Sequence, residues 1–486
     1  MKFLKNNWPI ILIIILGLGL RLYHLGSQGL WIDEIPTAIA ARSNILNIHN
    51  LYECIYVDLN PPLYVILLHF WIKLAGTTET SLRLLSVLFG VLSILAIYKV
   101  GFLLFNKKVA LLAAFFLSIS SFHLLHSQEL RMYSLLSLLS LMSIYFYWKL
   151  LKKPSIEYTI VYLIFTLLLL FSHTFGFLTV IAENVFMICV ILIFSRYFPL
   201  KLKQWLLIQL FLLMIFAPWL IIIVLQINLL PYGSVTSPYR NLQEMFGSPL
   251  IWIPLAISVG LSICLFKKPL RALKYKFSLM SRSLYLTRDP NVYFLIIFII
   301  VNFSIPWLIY YFAHLTVNYP RILIPAAIAI FLLAAKGITN IKNTLIKSVL
   351  ILLIIISLGV YVVSYFQNVS NDDWRGLAQF VDKNAPPNAR IMIMPDWVDT
   401  SILYYLRRED IKIVPIPVDS ASGNLNESWE KLKAEASKSQ KFYLITYTFS
   451  VHFADSEITT LLPYQLISKE NFTGMNLYYF ENKLKQ

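Results

Sequence analysis

Long apolar runs recur along most of the chain and are separated by short polar segments. A helix that crosses a bilayer needs roughly 17–25 residues. Eleven runs reach that length and predict spans at about 8–25, 84–104, 109–126, 132–150, 158–176, 177–195, 204–226, 248–266, 291–312, 321–337 and 347–367. A further run, 61–76, is shorter, begins with two prolines and contains His69 and Lys73, so hydropathy alone does not assign it.

Beyond residue 367 the pattern changes to short alternating segments. A helix is predicted to open at Asp373 and to end before Pro386, with further helices around 399–407 and 427–438. Strands are predicted at Arg390–Met394, Ile411–Pro415 and Lys441–Thr446. Alternating strands and helices indicate a small α/β domain. We therefore expect a membrane-spanning domain at 1–367, with a first external loop at 26–83, and a C-terminal α/β domain at 368–486.

The composition agrees with this division. Of the 486 residues, 58% are hydrophobic and 14% charged, and the mean hydropathy is +0.69. A soluble domain carries about 45–50% apolar and about 25% charged residues, which excludes a wholly soluble protein. The three cysteines are too few for a disulfide framework.

The placement of charge excludes a nucleic-acid partner and predicts a topology. The net charge is +16, yet 368–486 holds 15 acids and 13 bases, so the basic excess lies between the apolar runs. If 61–76 is a helix on the membrane surface, 20 of the 28 bases of 1–367 fall on one side. The positive-inside rule then predicts a multi-pass cell-membrane protein with a cytoplasmic N-terminus and an extracytoplasmic C-terminal domain.

The few acidic residues among the first 367 give the first indication of a functional site. Four of ten, Asp33, Glu34, Glu53 and Asp58, cluster within the first external loop, which also contains Glu79. Asp33 and Glu34 follow the first span and precede a helical pattern, so Asp33 stands where an acid can cap a helix. A carboxylate at a membrane boundary can also bind a metal, accept a proton or be solvated among headgroups.

Further polar residues are predicted on the same external side. They are Asn60, Glu129, Arg131, His173, Tyr319 and Arg321. Each has a purely structural interpretation, such as an ion pair between Glu129 and Arg131 or a snorkelling Arg321. Ionisable groups near the membrane are costly unless they are paired or hydrated. Their gathering on one face therefore points to a functional site.

Several short stretches resemble glycosyltransferase family 39. They are WIDE at 31–34, NPPLY at 60–64, SLRLLS at 81–86, HSQELRMY at 126–133 and YPRILIPA at 319–326. The resemblance includes protein O-mannosyltransferases and lipid A aminoarabinose transferases, and it is strongest over residues 1–180. It implies a GT-C fold, a polyprenyl-phosphate-linked sugar as donor, and Asp33 as the catalytic carboxylate. The family often has His before Pro-Pro where this chain has Asn60, so no metal ligands are assigned and a divalent metal stays open.

Glycosyl transfer from a phosphate needs a base for the acceptor hydroxyl and positive charge for the leaving phosphate. Asp33 is the expected base in an inverting transfer, and Glu34 is expected to tune it by like-charge proximity. Arg131 and Arg321 are expected to bind the phosphate. The remaining site residues are expected to orient Arg131 or the acceptor (Glu129), to line the donor pocket (His173, Tyr319) or to bind substrate (Asn60).

Two other functions stay open on the sequence. A transporter or flippase of lipid-linked glycans is expected to carry charges at mid-membrane and often two related halves, neither of which is visible. A catalytically inactive glycan-binding membrane protein is separated from an enzyme only by an activity assay. For the enzyme, the sugar is a hexose or a pentose, and the acceptor is a lipid, a glycan or a protein.

Overall fold

The fold is taken from a computed structural model of the chain. The structure describes residues 2–43, 60–226, 242–243, 245–246, 249–264, 289–313, 320–368, 371–418, 426–448 and 464–482. Contacts divide the chain into two compact units. The first contains residues 1–23, 44–76 and 81–367, and the second contains 24–43, 77–80 and 368–486. The predicted boundary at 367/368 coincides with one of these divisions, and the second unit also takes in part of the first external loop.

The described part of the chain up to residue 367 is helical. Its helices are α1 (Lys2–Leu22), α2 (Glu34–Arg42), α3 (Leu63–Ala75), α4 (Glu79–Leu104), α5 (Lys107–Ser118), α6 (Ser121–Gln128), α7 (Tyr133–Lys152), α8 (Ile156–Ser172), α9 (Phe177–Leu192), α10 (Leu202–Gln226), α11 (Pro249–Cys264), α12 (Pro290–Ala313), α13 (Ile324–Asn340) and α14 (Thr344–Gln367). Each of the eleven predicted spans coincides with helix. Within the described residues, seven helices are long and apolar enough to cross a membrane, or eight if one bent pair is a single span.

The bent pair corrects the prediction of one continuous helix over 109–126. Helices α5 and α6 meet at 59°, because Ser120 begins a new helix and its side chain accepts from the His123 amide. The end of α5 has an unusual partner. The guanidinium of Arg21 donates to the carbonyls of Ser118 (3.2 Å) and Leu117 (3.4 Å). These bonds satisfy carbonyls that a continuous helix would use internally.

The short run at 61–76 forms α3, which starts directly after Pro61 and Pro62. Two polar contacts connect it to the beginning of α4. The Tyr64 hydroxyl lies 2.6 Å from Ser86 Oγ, and the Trp71 indole donates to the Ser81 carbonyl at 2.8 Å. At 13 residues α3 is shorter than a span, and its location on the membrane surface stays a prediction.

The second unit contains a five-stranded sheet. Its C-terminal elements are α15 (Trp374–Asn384), β1 (Arg390–Met394), α16 (Asp399–Tyr405), β2 (Lys412–Pro415), α17 (Asn426–Ala436), β3 (Lys441–Tyr447), β4 (Tyr464–Phe472) and β5 (Met475–Asn482). The strand order is β2-β1-β3-β5-β4, with β1 parallel to both β2 and β3, and β5 antiparallel to β3 and β4. The three predicted strands and the α/β class are confirmed.

The hairpin of β4 and β5 was not assigned from the sequence. Its two strands are joined by Thr473 and Gly474, and Gly474 has a φ of +83°, a conformation that favours glycine. A two-residue turn with glycine between alternating segments is a recognised hairpin signal. Strand β4 alternates partly buried with exposed positions and forms one edge of the sheet.

The core of the sheet lies mainly between alternate residues of its strands and α17. Met392, Leu444 and Tyr478 occupy registered positions on neighbouring strands and pack with Trp429 and Leu432. Strand β3 is buried from Phe442 to Tyr447, as expected for a central strand covered on both faces.

Candidate functional site

The acidic pair lies in the second unit, at the start of α2. The Glu34 amide donates to the Trp31 carbonyl at 2.9 Å, and the Glu34 carboxylate accepts from the Trp31 amide at 3.2 Å. Asp33 occupies the N-cap position, but its side chain makes no capping hydrogen bond. The turn is therefore closed by Glu34, and capping of α2 does not engage the carboxylate of Asp33.

The two acids differ in their access to solvent. Glu34 is fully buried, whereas Asp33 is partly exposed. A base must reach the proton that it removes. Of the pair, Asp33 is therefore the one suited to contact a substrate, and Glu34 is suited to maintain the turn.

The predicted cationic residues lie in the first unit, around Tyr133. The guanidinium of Arg321 lies over the Tyr133 ring, 5.5 Å from its centroid. The rings of Tyr133 and His173 are 5.6 Å apart. Both Arg131 and Arg321 lie close enough to the buried His173 ring to act on it electrostatically. The structure thus gathers two guanidinium groups, which match phosphate oxygens well.

His173 and Asn60 lie at the link between α8 and α9. The His173 Nδ1 atom accepts from the Phe175 amide at 3.0 Å, so this histidine caps the short 3-10 turn that precedes α9. The Asn60 side-chain oxygen accepts from the Thr174 amide at 3.5 Å. These contacts place both residues beside the cationic group. Tyr319 lies outside the described residues.

Glu129 has a partner that the sequence interpretation did not include. Its carboxylate lies 2.8 Å from His126 Nδ1, and both side chains are largely buried. The His126 ring is 5.1 Å from the Tyr133 ring, and its Nε2 atom is buried with no hydrogen-bond partner among the described residues. His126 stands at the head of the HSQELRMY stretch, so its position beside Glu129 was the signal that could have identified it. We name His126, Glu129, Arg131, Tyr133, His173 and Arg321 the Tyr133 cluster.

The backbone that carries this cluster is held by two further buried residues. Gln128 donates to the carbonyls of Arg21 (2.9 Å) and Tyr23 (2.8 Å) and accepts from the Tyr365 hydroxyl at 2.6 Å. Arg21 contacts Ser127 Oγ at 3.2 Å. Neither Gln128 nor Arg21 was singled out from the sequence, because their partners lie about a hundred or more positions away.

A metal site does not emerge from the described residues. Among them, no group of three His, Cys, Asp or Glu side chains is arranged to hold a metal ion.

The comparisons agree with the resemblance seen in the sequence. Residues 59–222 match the family model described as dolichyl-phosphate-mannose-protein mannosyltransferase. No curated protein matches the chain by sequence. The crystal structure of ArnT from Cupriavidus metallidurans is similar with a TM-score of 0.60 at 11% identity, covering 98% of each chain.

Two further solved structures share the fold. ArnT bound to undecaprenyl phosphate has a TM-score of 0.57 at 12% identity, covering 97% of this chain and 98% of that one. The Archaeoglobus fulgidus oligosaccharyltransferase AglB, in complex with an inhibitory peptide and a dolichol-phosphate, has a TM-score of 0.56 at 13% identity, covering 99% and 75%. The chain therefore shares the fold of these ArnT and AglB structures. Together with the family match, this similarity confirms the resemblance to the mannosyltransferase-like family.

Proposed function

We propose that this chain is an integral-membrane glycosyltransferase that moves a sugar from a polyprenyl-phosphate-linked donor to an acceptor hydroxyl. The GT-C fold and the family match support the broad class, a membrane glycosyltransferase with a lipid-phosphate-linked donor. The sugar is a hexose or a pentose, and the acceptor is a glycan, a lipid or a protein. The observation that carries the proposal is that Arg321 lies over the Tyr133 ring and that Arg131 and Arg321 both act electrostatically on the neighbouring His173 ring.

In the proposed reaction Asp33 is the base. It takes the proton of the acceptor hydroxyl as the oxygen attacks the anomeric carbon. The bond from that carbon to the phosphate oxygen breaks, and the lipid phosphate leaves with the bonding electrons. A single displacement inverts the anomeric configuration and needs one carboxylate only, whereas retention needs a second as nucleophile.

Arg131 and Arg321 bind the phosphate and stabilise the charge that grows on it during bond breaking. His126 acts as a further polar contact for the donor, oriented by Glu129, because its buried Nε2 atom has no partner within the part of the chain that the structure describes. His173, Asn60 and Tyr319 line the donor site. Glu34 keeps the turn that presents Asp33.

We further propose the topology predicted from charge, with the N-terminus cytoplasmic and the C-terminal domain extracytoplasmic. Single cysteines at positions 274 and 400, in a background without Cys54, Cys189 and Cys264, test this with a membrane-impermeant maleimide. Label is expected at position 400 in intact cells and at position 274 only after permeabilisation. Labelling of both positions from one side contradicts the topology.

The variant Asp33→Asn tests the proposed function. It keeps the size of the side chain but removes the base, and general-base catalysis contributes about 10²–10⁴-fold. Release of undecaprenyl phosphate from a panel of undecaprenyl-phosphate-linked hexoses and pentoses, with membrane extract as acceptor, is therefore expected to fall at least about a hundredfold. The control is Asp396→Asn, which alters an acid elsewhere in the second unit. Equal rates in both variants contradict the role of Asp33.

A further inference from the structure

The segment that leads into Asp33 has no regular structure of its own. We name residues 24–33 the Asp33 loop, which lies between α1 and α2. A loop without repeating backbone hydrogen bonds must find other partners for its amides and carbonyls. Within the second unit, the partners of the Asp33 loop come largely from the C-terminal part of the chain.

Three of these contacts hold the backbone or a polar side chain directly. The Leu30 amide donates to the Tyr405 hydroxyl at 2.6 Å. The Arg375 guanidinium donates to the Ser27 carbonyl at 2.7 Å. The Asn371 amide donates to the Gln28 side-chain oxygen at 3.0 Å.

Glu79 connects two of these partners to each other. Its Oε1 atom accepts from the Tyr405 hydroxyl at 3.2 Å and pairs with the Arg375 guanidinium at 3.3 Å. The Tyr405 hydroxyl thus both accepts from the Leu30 amide and donates to Glu79. This arrangement fixes the direction of both side chains toward the loop.

The loop also lies unusually close to these side chains. A Cβ atom at Gly29 would sit 3.1 Å from Arg375 Cβ and 3.4 Å from the Tyr405 hydroxyl oxygen. A larger residue at position 29 would therefore require Arg375 to shift by a few tenths of an ångström. Gly29 stands four residues before Asp33, so an error in its position is passed on to the carboxylate over a short length of chain.

We propose that Tyr405 and Arg375 are positioning residues for Asp33, and that the C-terminal domain supports catalysis by holding the Asp33 loop. This inference rests on the proposed function, in which Asp33 is the base. A misplacement of about 1 Å can cost about a hundredfold in rate.

Hydrogen–deuterium exchange of the full chain in detergent tests whether Tyr405 holds the Asp33 loop. This experiment needs no measurement of activity. In Tyr405→Phe the Leu30 amide loses its acceptor, so exchange in peptides covering 27–33 is expected to accelerate about tenfold or more. The matched control is Tyr464→Phe, which removes a hydroxyl that donates to the Ala436 carbonyl in the same unit. Unchanged exchange in Tyr405→Phe overturns the proposal.

Enzyme kinetics test whether Tyr405 and Arg375 position Asp33 for catalysis. Tyr405→Phe and Arg375→Gln are expected to lower kcat about 10- to 100-fold while KM for the lipid donor stays within about twofold. Arg375→Lys keeps a cationic donor for the Ser27 carbonyl and is expected to restore part of kcat. A general loss of structure would instead reduce the amount of active protein in all three variants alike.

The two proposals fail in different ways. If Asp33→Asn is inactive and Tyr405→Phe turns over as fast as Tyr464→Phe, only the positioning role is wrong. If Asp33→Asn turns over at the wild-type rate, the proposed function is wrong, and the exchange experiment still reports whether Tyr405 holds the loop.

Discussion

The Asp33 loop and the Tyr133 cluster are held by contacts of very different sequence separation. The partners of the loop lie 343 to 375 positions away, at Asn371, Arg375 and Tyr405. In the cluster, Glu129 pairs with His126 only three positions away, and His173 caps its own turn. Much of the cluster is therefore defined by local sequence, whereas the placement of the loop depends on the C-terminal domain.

The two regions also treat buried charge differently. In the helical unit, most backbone groups are satisfied within helices. The buried Arg21 donates to the Gly17 carbonyl within α1 and to the carbonyls of Leu117 and Ser118, where α5 ends. In the second unit, Asp372 is buried and accepts from the Tyr447 hydroxyl at 3.0 Å. The buried Arg21 thus lies at a helix break in the first unit, and the buried Asp372 lies near the start of the C-terminal domain in the second.

The largest expected effect is a difference in ligand affinity between variants of the Tyr133 cluster and a variant of the Asp33 loop. Arg131→Gln and Arg321→Gln are each expected to weaken binding of undecaprenyl phosphate about tenfold or more, because a hydrogen bond to a charged group contributes about 1.5–3 kcal/mol. Asp33→Asn is expected to bind it with unchanged affinity. Native mass spectrometry or a fluorescence titration measures the dissociation constants.

The control for this comparison is Arg196→Gln, which alters an exposed arginine between α9 and α10. An equal loss of affinity in Asp33→Asn and Arg131→Gln would remove the functional distinction between the regions. Unchanged affinity in both arginine variants would contradict their role in phosphate binding.

A smaller effect concerns the helix break. Arg21→Met leaves the Ser118 carbonyl without the guanidinium donor, and an unsatisfied buried group costs about 1–3 kcal/mol. The thermal unfolding midpoint in detergent is therefore expected to fall by several degrees. Arg42→Met, at an exposed position in α2, is the control. A midpoint equal to that of the wild type would show that the break does not need Arg21.

The smallest effect is a pH dependence at Asp372. Burial raises the pKa of this carboxyl above 3.8, as does the nearby Asp33, while the Tyr447 hydroxyl and the Ile32 amide act in the opposite direction. An acid with a raised pKa in the folded state binds its proton more tightly there than when unfolded. Its cost to stability is therefore absent below pH 3.8 and grows as the pH rises through the raised pKa.

Asp372→Asn removes that cost and retains an oxygen for Tyr447. The variant is expected to match the wild type in thermal stability near pH 4 and to become more stable than the wild type toward pH 7. A wild-type protein that becomes more stable than the variant between pH 4 and pH 7 would contradict the expectation. A confirmed gain indicates that the charge of Asp372 is kept at the expense of stability.

Sequence patterns predicted most of the elements but not their interruptions. Strand β1 was predicted at its observed bounds, because an apolar run of β-formers is a local property. The break at Ser120 was missed, because the Arg21 guanidinium that satisfies Ser118 lies 97 positions away. Hydropathy reports how apolar a segment is and carries no information about which distant donor will end a helix.

For the candidate site, the sequence alone determined the residue types and the short motifs, including WIDE at 31–34 and HSQELRMY at 126–133. Tertiary structure decided that Arg321 lies over Tyr133, and that Tyr405 and Arg375 hold the Asp33 loop. The physical reason is that hydrogen bonds and ring contacts require atoms within a few ångströms of each other. Only the folded chain brings residues hundreds of positions apart to that distance.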